Sequence, residues 1–321
     1  MIIVPEREIA GLISAEECFE AVEAVFAAMA RGDAHNFPVI REAIGHADAL
    51  YGFKSGFDRA GLVLGLKSGG YWPGNMARGL TNHQSTVVLF DADTGQARAL
   101  VGGNLLTALR TAAASAVSIR HLAREDAKVL GMVGAGHQSA FQMRAAVAQR
   151  DFEKVVGWNY HPEMLPRLAE TAEELSLPFE AASLAELGAQ ADVIVTITSS
   201  FEPQLLDAHV RPGTHLACMG TDTKGKQEVD PAILGRARVF TDEVAQSVSI
   251  GEAQHAVAAG LIAESDITRI GAVIAGMEPG RQSADEITLF DGTGVGLQDL
   301  AVAAKAVEIA QARGVAVEID F

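Results

Sequence analysis

Residues 128–133, KVLGMV, are a short apolar run, and Gly134, Ala135, Gly136, His137, Gln138 and Ser139 follow it at once. An apolar run of that length, ended by glycine, predicts a buried strand. The next segment, HQSAFQMRAAVAQR, puts Ala140, Met143, Ala146 and Val147 on one stripe and predicts a helix opening at about His137. Strand, glycine turn and helix in such close succession constrain the fold more than any other part of the chain. Gly134 permits the tight turn, and Gly136 lets backbone approach a ligand. The unpaired N–H groups at the helix start bind an anion such as a pyrophosphate. Ser139 takes the place of the usual third glycine and is small enough for close helix–strand packing. Residues 154–158 supply a second strand and complete a βαβ unit. Asn159 ends that strand, where an acidic residue would normally bind the ribose 2′-hydroxyl. Asn still hydrogen-bonds a diol, while His161 nearby favours a 2′-phosphate if protonated, so NAD is the expected dinucleotide and NADP the alternative.

The rest of the chain divides by periodicity. Residues 16–30 read as an amphipathic helix introduced by Ser14, with Glu17 three residues later as a capping box. Residues 49–57, 62–69, 84–91 and 97–101 read as strands separated by Gly and Asp turns, which predicts an antiparallel sheet. From Lys128 the order becomes strand–helix–strand, with further strands near Val155, 193–197, 215–219, 239–241 and 287–290, which predicts a doubly wound parallel sheet. A helix at 297–313 and a strand at 315–319 follow and are expected to return to the first region. The expected class is therefore α/β, a dinucleotide-binding domain at 125–297 and a second, α+β domain made of 1–124 with 298–321. A length of 321 residues accommodates two such cores.

Charge and cysteine content exclude several functions. With 41 acidic against 25 basic side chains, the formal charge of −16 opposes binding to nucleic acid or anionic membranes. An anionic substrate must then find locally clustered cations. Cys18 and Cys218 are too few for a disulfide framework or a zinc cluster, and read as small buried hydrophobes in a reducing compartment. No metal-ligand spacing is present, and the N-terminal MIIVPEREIAGLIS is too short and polar for a signal peptide or span, so the expectation is a cytoplasmic protein without a metal.

Five ordered segments carry a resemblance across almost the whole chain: GLKSGGYWPGN at 65–75, LTALRTAAASA at 106–116, VGAGHQSA at 133–140, GTDTKGKQEVD at 220–230 and DGTGVGLQDLA at 291–301. Together they resemble the ornithine cyclodeaminase and mu-crystallin family. The resemblance implies a homodimer whose subunits pair a Rossmann domain with a substrate and dimerisation domain. The family spans ornithine cyclodeaminases, alanine dehydrogenases, ketimine and other imine reductases, and crystallins that bind ligands without catalysis, so membership alone does not name the reaction.

By the same resemblance Lys67 and Arg110 contact the substrate carboxylate, Arg41 is a third cation there, and Asp222 is the catalytic carboxylate. A bidentate arginine beside a point-charge lysine fixes a carboxylate while leaving its α-carbon free. Asp222 follows the apolar run HLACMG, at the carboxyl edge of the predicted parallel sheet, where such folds react. There it serves as acid and base to an imine nitrogen. Lys226, in the same motif, pairs with Asp222 or holds its loop. Thr111, Ser199, Met219, Gly220 and Thr221 match positions that touch the cofactor. Asp291, Gly292, Thr293, Gly294 and Val295 match those that cover the nicotinamide. Lys54, thirteen residues before Lys67, puts a cation where ornithine-using members are expected to carry a carboxylate. A dicarboxylate therefore fits better than a diamine. The segments YGFKSGF, GGYWPGN, NHQSTV and GTDTKGKQEVDP most resemble the branch of the family that reduces iminosuccinate. That resemblance implies reduction of iminosuccinate to L-aspartate with NADH, ahead of alanine dehydrogenase, ornithine cyclodeaminase and a non-catalytic binding protein.

Overall fold

Alternating apolar side chains in the first hundred residues close into an antiparallel sheet in the computed structural model, which describes all of Met1–Phe321. The chain forms two compact units, Met1–Arg110 with Val295–Phe321, and Thr111–Gly294. The division falls inside the continuous helix Asn104–Leu122. Sequence reasoning put it after that helix, at residue 124, because a continuous helical pattern carries no mark of where its packing partners change.

In the first unit the strands run in the order Val317–Glu318, Ile2–Val4, Ala97–Gly102, His83–Phe90, Val63–Tyr71, Leu50–Asp58, Ala34–Asn36. Ile40–Ala43 also pairs with Leu50–Asp58. All pairs are antiparallel except Ile2–Val4 with Ala97–Gly102. The strands Ile2–Val4, Ala34–Asn36 and Ile40–Ala43 were not anticipated, being too short for a legible period. Val87, Leu89, Ala99 and Val101 share one face of this sheet and are buried. Helix Gly296–Ala312 packs on Leu50–Asp58 and Val63–Tyr71 and against helix Ala15–Arg31. The last begins with the expected capping box: Ser14 Oγ accepts from the Glu17 N–H, and the Glu17 carboxylate accepts from the Ser14 N–H. Two glycines on the sheet allow the helix close approach. A Cβ at Gly56 would lie 2.9 Å from Leu297 Cγ, and one at Gly65 would lie 3.0 Å from Leu300 Cδ2.

The second unit is an eight-stranded, wholly parallel sheet in the order Phe179–Ala181, Lys154–Trp158, Val129–Val133, Val193–Thr196, His215–Cys218, Thr288–Asp291, Arg238–Thr241, Ile267–Arg269. Its strands carry residues such as Val133, Val156, Ile194, Leu216 and Leu289 with no exposure, as expected where helices cover both faces. From Val129–Val133 the chain first winds outward through Lys154–Trp158, then returns to add Val193–Thr196 on the other side. This reversal creates a crevice at the carboxyl ends of the two central strands. This is the doubly wound, Rossmann-type α/β arrangement anticipated from the sequence.

Candidate active site

Strand register gathers the cations of the first unit. Lys54 stands directly opposite Lys67, and Arg41 opposite Gly52, two residues from Lys54 on the same face of the strand. Arg41, Lys54 and Lys67 therefore project from one face of the sheet, because cross-strand partners share a face and side chains alternate. Like charges facing each other across a sheet are unfavourable, so this arrangement calls for an anion. Arg110 comes from helix Asn104–Leu122, and helix Gly296–Ala312 supplies a carboxylate between two of these cations. Asp299 Oδ1 accepts from Lys67 Nζ at 2.9 Å and from Arg110 Nε at 3.0 Å. Gln298 Oε1 accepts from Arg110 Nη1 at 3.0 Å. All three charged groups are buried. Burial, then the Arg110 guanidinium, push the Lys67 ammonium down to about 7, with Asp299 opposing them. Burial would raise the Asp299 carboxyl, but Arg110 and Lys67 outweigh it and hold the group below its ordinary value.

In the second unit, the glycine turn sits at the crevice. Gly134 has φ +113° and a Cβ there would meet Ile197 O at 2.5 Å, so only glycine fits. At Gly136 a Cβ would meet no protein atom within 4 Å, which leaves the backbone open to a ligand. The helix begins at Ser139 with Gln138 as N-cap, two residues later than expected. The reason is a tight turn at 136–139, in which the Ser139 N–H and hydroxyl both donate to Gly136 O. His137 remains in the turn ahead of it. Asn159 braces this turn: its Oδ1 accepts from the Ala135 N–H at 2.9 Å and its Nδ2 donates to His161 O at 2.8 Å. A dinucleotide pyrophosphate fits an open glycine, exposed N–H groups and a strand switch point.

Thr111, Ser199, Met219, Gly220, Thr221 and the 292–294 turn all belong to this unit, and all but Thr111 lie just beyond or between strand ends on its carboxyl edge. Asp222 is half-buried, and its Oδ1 accepts from Lys226 Nζ at 2.9 Å and Thr223 Oγ1 at 3.2 Å. Lys226 also donates to Gly220 O, so it both pairs with Asp222 and ties down the loop.

Buried carboxylates that sequence reasoning passed over shape these loops. Glu228 accepts from the Thr196 and Thr198 hydroxyls and from the Thr198 and Gly220 N–H groups, clamping the ends of two strands. Glu252 accepts from the Glu228 and Val229 N–H groups and meets Thr221 Oγ1 at 2.5 Å. Burial and the neighbouring Glu228 push its carboxyl up to about 8. Asp242 accepts from the Thr293 and Gly294 N–H groups and the Thr293 hydroxyl, and Gln246 donates to Thr293 Oγ1. These two hold the 292–294 turn. Gly292 lies against the end of the Met219 side chain, where a Cβ would stand 2.6 Å from the thioether and the methionine would have to move. The signal for Asp242 was an acid following an apolar strand. Glu228 lay inside a quoted motif and Glu252 carried no signal. No group of three or more His, Cys, Asp or Glu side chains is arranged to hold a metal ion. No helix is long and apolar enough to cross a membrane.

Comparison with known proteins places this architecture. The chain is 69% identical over 321 residues to the iminosuccinate reductase of Paracoccus denitrificans, covering the whole of both. The crystal structure of that reductase in complex with NAD+ superposes with a TM-score of 0.97, covering 100% of this chain and 99% of that one. The alanine dehydrogenase of Archaeoglobus fulgidus is 33% identical over 323 residues, 100% of this chain and 98% of that protein. An archaeal alanine dehydrogenase dimer with bound NAD superposes with a TM-score of 0.95 at 32% identity, over 100% and 99% of the two chains. The family pattern of ornithine cyclodeaminase and mu-crystallin matches residues 2–313, and this chain belongs to that family.

Proposed function

We propose that the protein reduces iminosuccinate to L-aspartate with NADH. The observation that carries this reading is the register that sets Lys54 against Lys67, with Arg41 on the same face, in a chain of net charge −16. Such a cluster suits a substrate with two carboxylates. Its support from outside the chain is the full-length similarity to an iminosuccinate reductase and to its NAD+ complex.

Arg110, Lys67 and Arg41 hold the α-carboxylate, and Lys54 takes the distal one. The Gly134–Ser139 turn receives the pyrophosphate, Asn159 and His161 lie at the ribose end, and Thr111, Ser199, 219–221 and 292–294 line the rest of the cofactor site. NADH supplies the hydride that the imine carbon accepts. Asp222 donates or relays the proton at the substrate nitrogen, and its charge favours the protonated imine that accepts hydride well. Lys226 keeps that carboxylate oriented.

The first unit is also the dimerisation domain. Opposite the helix-covered face, its sheet presents Phe53, Phe57, Leu64, Leu66, Val88, Phe90 and Leu100, all on one side by register. These are exposed or half-exposed, and a second copy of the chain covers them. The buried free thiols of Cys18 and Cys218 suit the cytoplasm.

The test is NADH oxidation with iminosuccinate formed in situ from oxaloacetate and ammonia, beside pyruvate with ammonia. Rapid turnover of the dicarboxylate imine is expected. In Lys54→Met, kcat/KM for iminosuccinate falls on the order of 10- to 100-fold, the equivalent of one charge-assisted hydrogen bond, while the pyruvate imine is unaffected. A preference for the pyruvate imine in the parent enzyme would make it an alanine dehydrogenase instead.

A further inference from the structure

Asp299 has no part in the reading above, yet it lies at the centre of the cations. It has no exposed surface, and it lies in the first turn of helix Gly296–Ala312, whose approach to the sheet is set by Gly56 and Gly65. One oxygen, Oδ1, receives both Lys67 Nζ and Arg110 Nε, while the other, Oδ2, is buried without a hydrogen-bond partner. Lys67 Nζ lies 3.4 Å from Thr107 Oγ1, and Arg110 Nη1 donates to Gln298 Oε1. With these bonds made, an ammonium with three donors and a guanidinium with five both retain N–H groups for a ligand.

Charge bookkeeping explains the arrangement. Lys67 and Arg110 against Asp299 leave one positive charge, the complement of one carboxylate. Without Asp299, two buried cations would lie together, with Lys54 opposite Lys67 on the neighbouring strand. The lysine would then lose its proton, because an ammonium gives up its charge far more readily than a guanidinium. The groups that face Lys67 are Lys54 from Leu50–Asp58, Arg110 and Thr107 from Asn104–Leu122, and Asp299 from Gly296–Ala312. On its other side, strand His83–Phe90 presents the apolar Val87. Asp299 is the sole carboxylate in that set.

We propose that Asp299 is a positioning residue for substrate binding: it keeps Lys67 charged and locks Lys67 and Arg110 at one spacing, so that a substrate carboxylate is received by both at once. This rests on the reading that Lys67 and Arg110 bind that carboxylate. A wholly structural ion pair, neutralised on one side, would cost stability without changing how ligand affinity depends on pH. A residue that maintains the charge of Lys67 in the binding site would change that dependence.

The sign of the effect follows from the cause. In the free site the Lys67 cation is present below about 7 and lost above it, and Asp299 is the group that raises this value. In Asp299→Asn the transition moves to lower pH. The probe is succinate, a dianion throughout the neutral and alkaline range, titrated into the NADH-loaded enzyme by nucleotide fluorescence. NADH affinity itself reports an intact fold. The expected result is an alkaline loss of succinate affinity that begins at least one pH unit lower in Asp299→Asn. Above that transition the loss is about tenfold per unit shifted, with NADH affinity unchanged. In Asp299→Glu, the retained charge leaves the transition at the parent pH while the displaced carboxylate weakens succinate binding. This variant decides the matter if the asparagine form does not fold. A transition at the parent pH in Asp299→Asn, or parent-like affinity and transition in Asp299→Glu, overturns the proposal. Lys67→Met separates the two levels. If it weakens succinate while Asp299→Asn shifts nothing, Asp299 is structural and the carboxylate reading stands. If Lys67→Met leaves succinate affinity unchanged, the carboxylate reading falls, and this proposal with it.

Discussion

Asp222 shows how much of a residue's role lies in its partners. Its Oδ1 accepts from Lys226, which is itself anchored on Gly220 O, so the carboxylate is held in one direction. Replacing Asp222 by Asn keeps the shape and removes the base. We expect kcat to fall by roughly 10²- to 10⁴-fold with NADH affinity unchanged, measured by turnover and nucleotide fluorescence. Retained turnover would remove Asp222 from the chemistry. At this scale the cations were legible, because Lys67 in an apolar strand and Arg110 in an alanine-rich helix are conspicuous. Their counter-ion was not. Asp299 reads in sequence as an ordinary acid near a helix start, a favourable place for negative charge on dipole grounds alone. Nothing within ten residues of it indicates a lysine 232 positions away.

Glycines mark the difference between elements built to receive a ligand and elements built to receive each other. Gly136 has open space where a Cβ would stand, and Gly65 has Val88 O at 2.4 Å and Leu300 beyond it. Gly136→Val should therefore leave the thermal midpoint nearly unchanged and weaken NADH binding at least tenfold, because the new side chain occupies the approach of the pyrophosphate. Gly65→Val should do the reverse. It should cost about 1–3 kcal/mol of stability through overpacking against the sheet and helix Gly296–Ala312, read as a lower midpoint in thermal unfolding. Equal effects of the two substitutions on stability would contradict this division. The βαβ element was readable because its period, turn and strand length are all local. The helix start was misplaced by two residues because Ser139 closes a local turn on Gly136 O, while the residue before that turn is braced by Asn159 at a strand end more than twenty residues away.

At the scale of the molecule, the sheet of the first unit has one face filled by helices and one apolar face that is not. Leu66 and Val88 lie side by side on the second face. Leu66→Lys should convert a dimer to a monomer in light scattering, with the far-ultraviolet spectrum unchanged. A parent protein that is already monomeric at micromolar concentration would refute the assignment of that face. The sequence by itself determined the longer elements, the parallel arrangement of the second unit and which cations were candidates for binding an anion. Periodicity, turn chemistry and capping act over a few residues and leave their trace in local order. Only the tertiary structure decided the register that aligns Lys54 with Lys67, the carboxylates Glu228, Glu252, Asp242 and Asp299 that fix loops and cations, and the helix in which the two units divide. Each depends on which distant segments pack together, and burial then selects the ionic partners that local sequence leaves open.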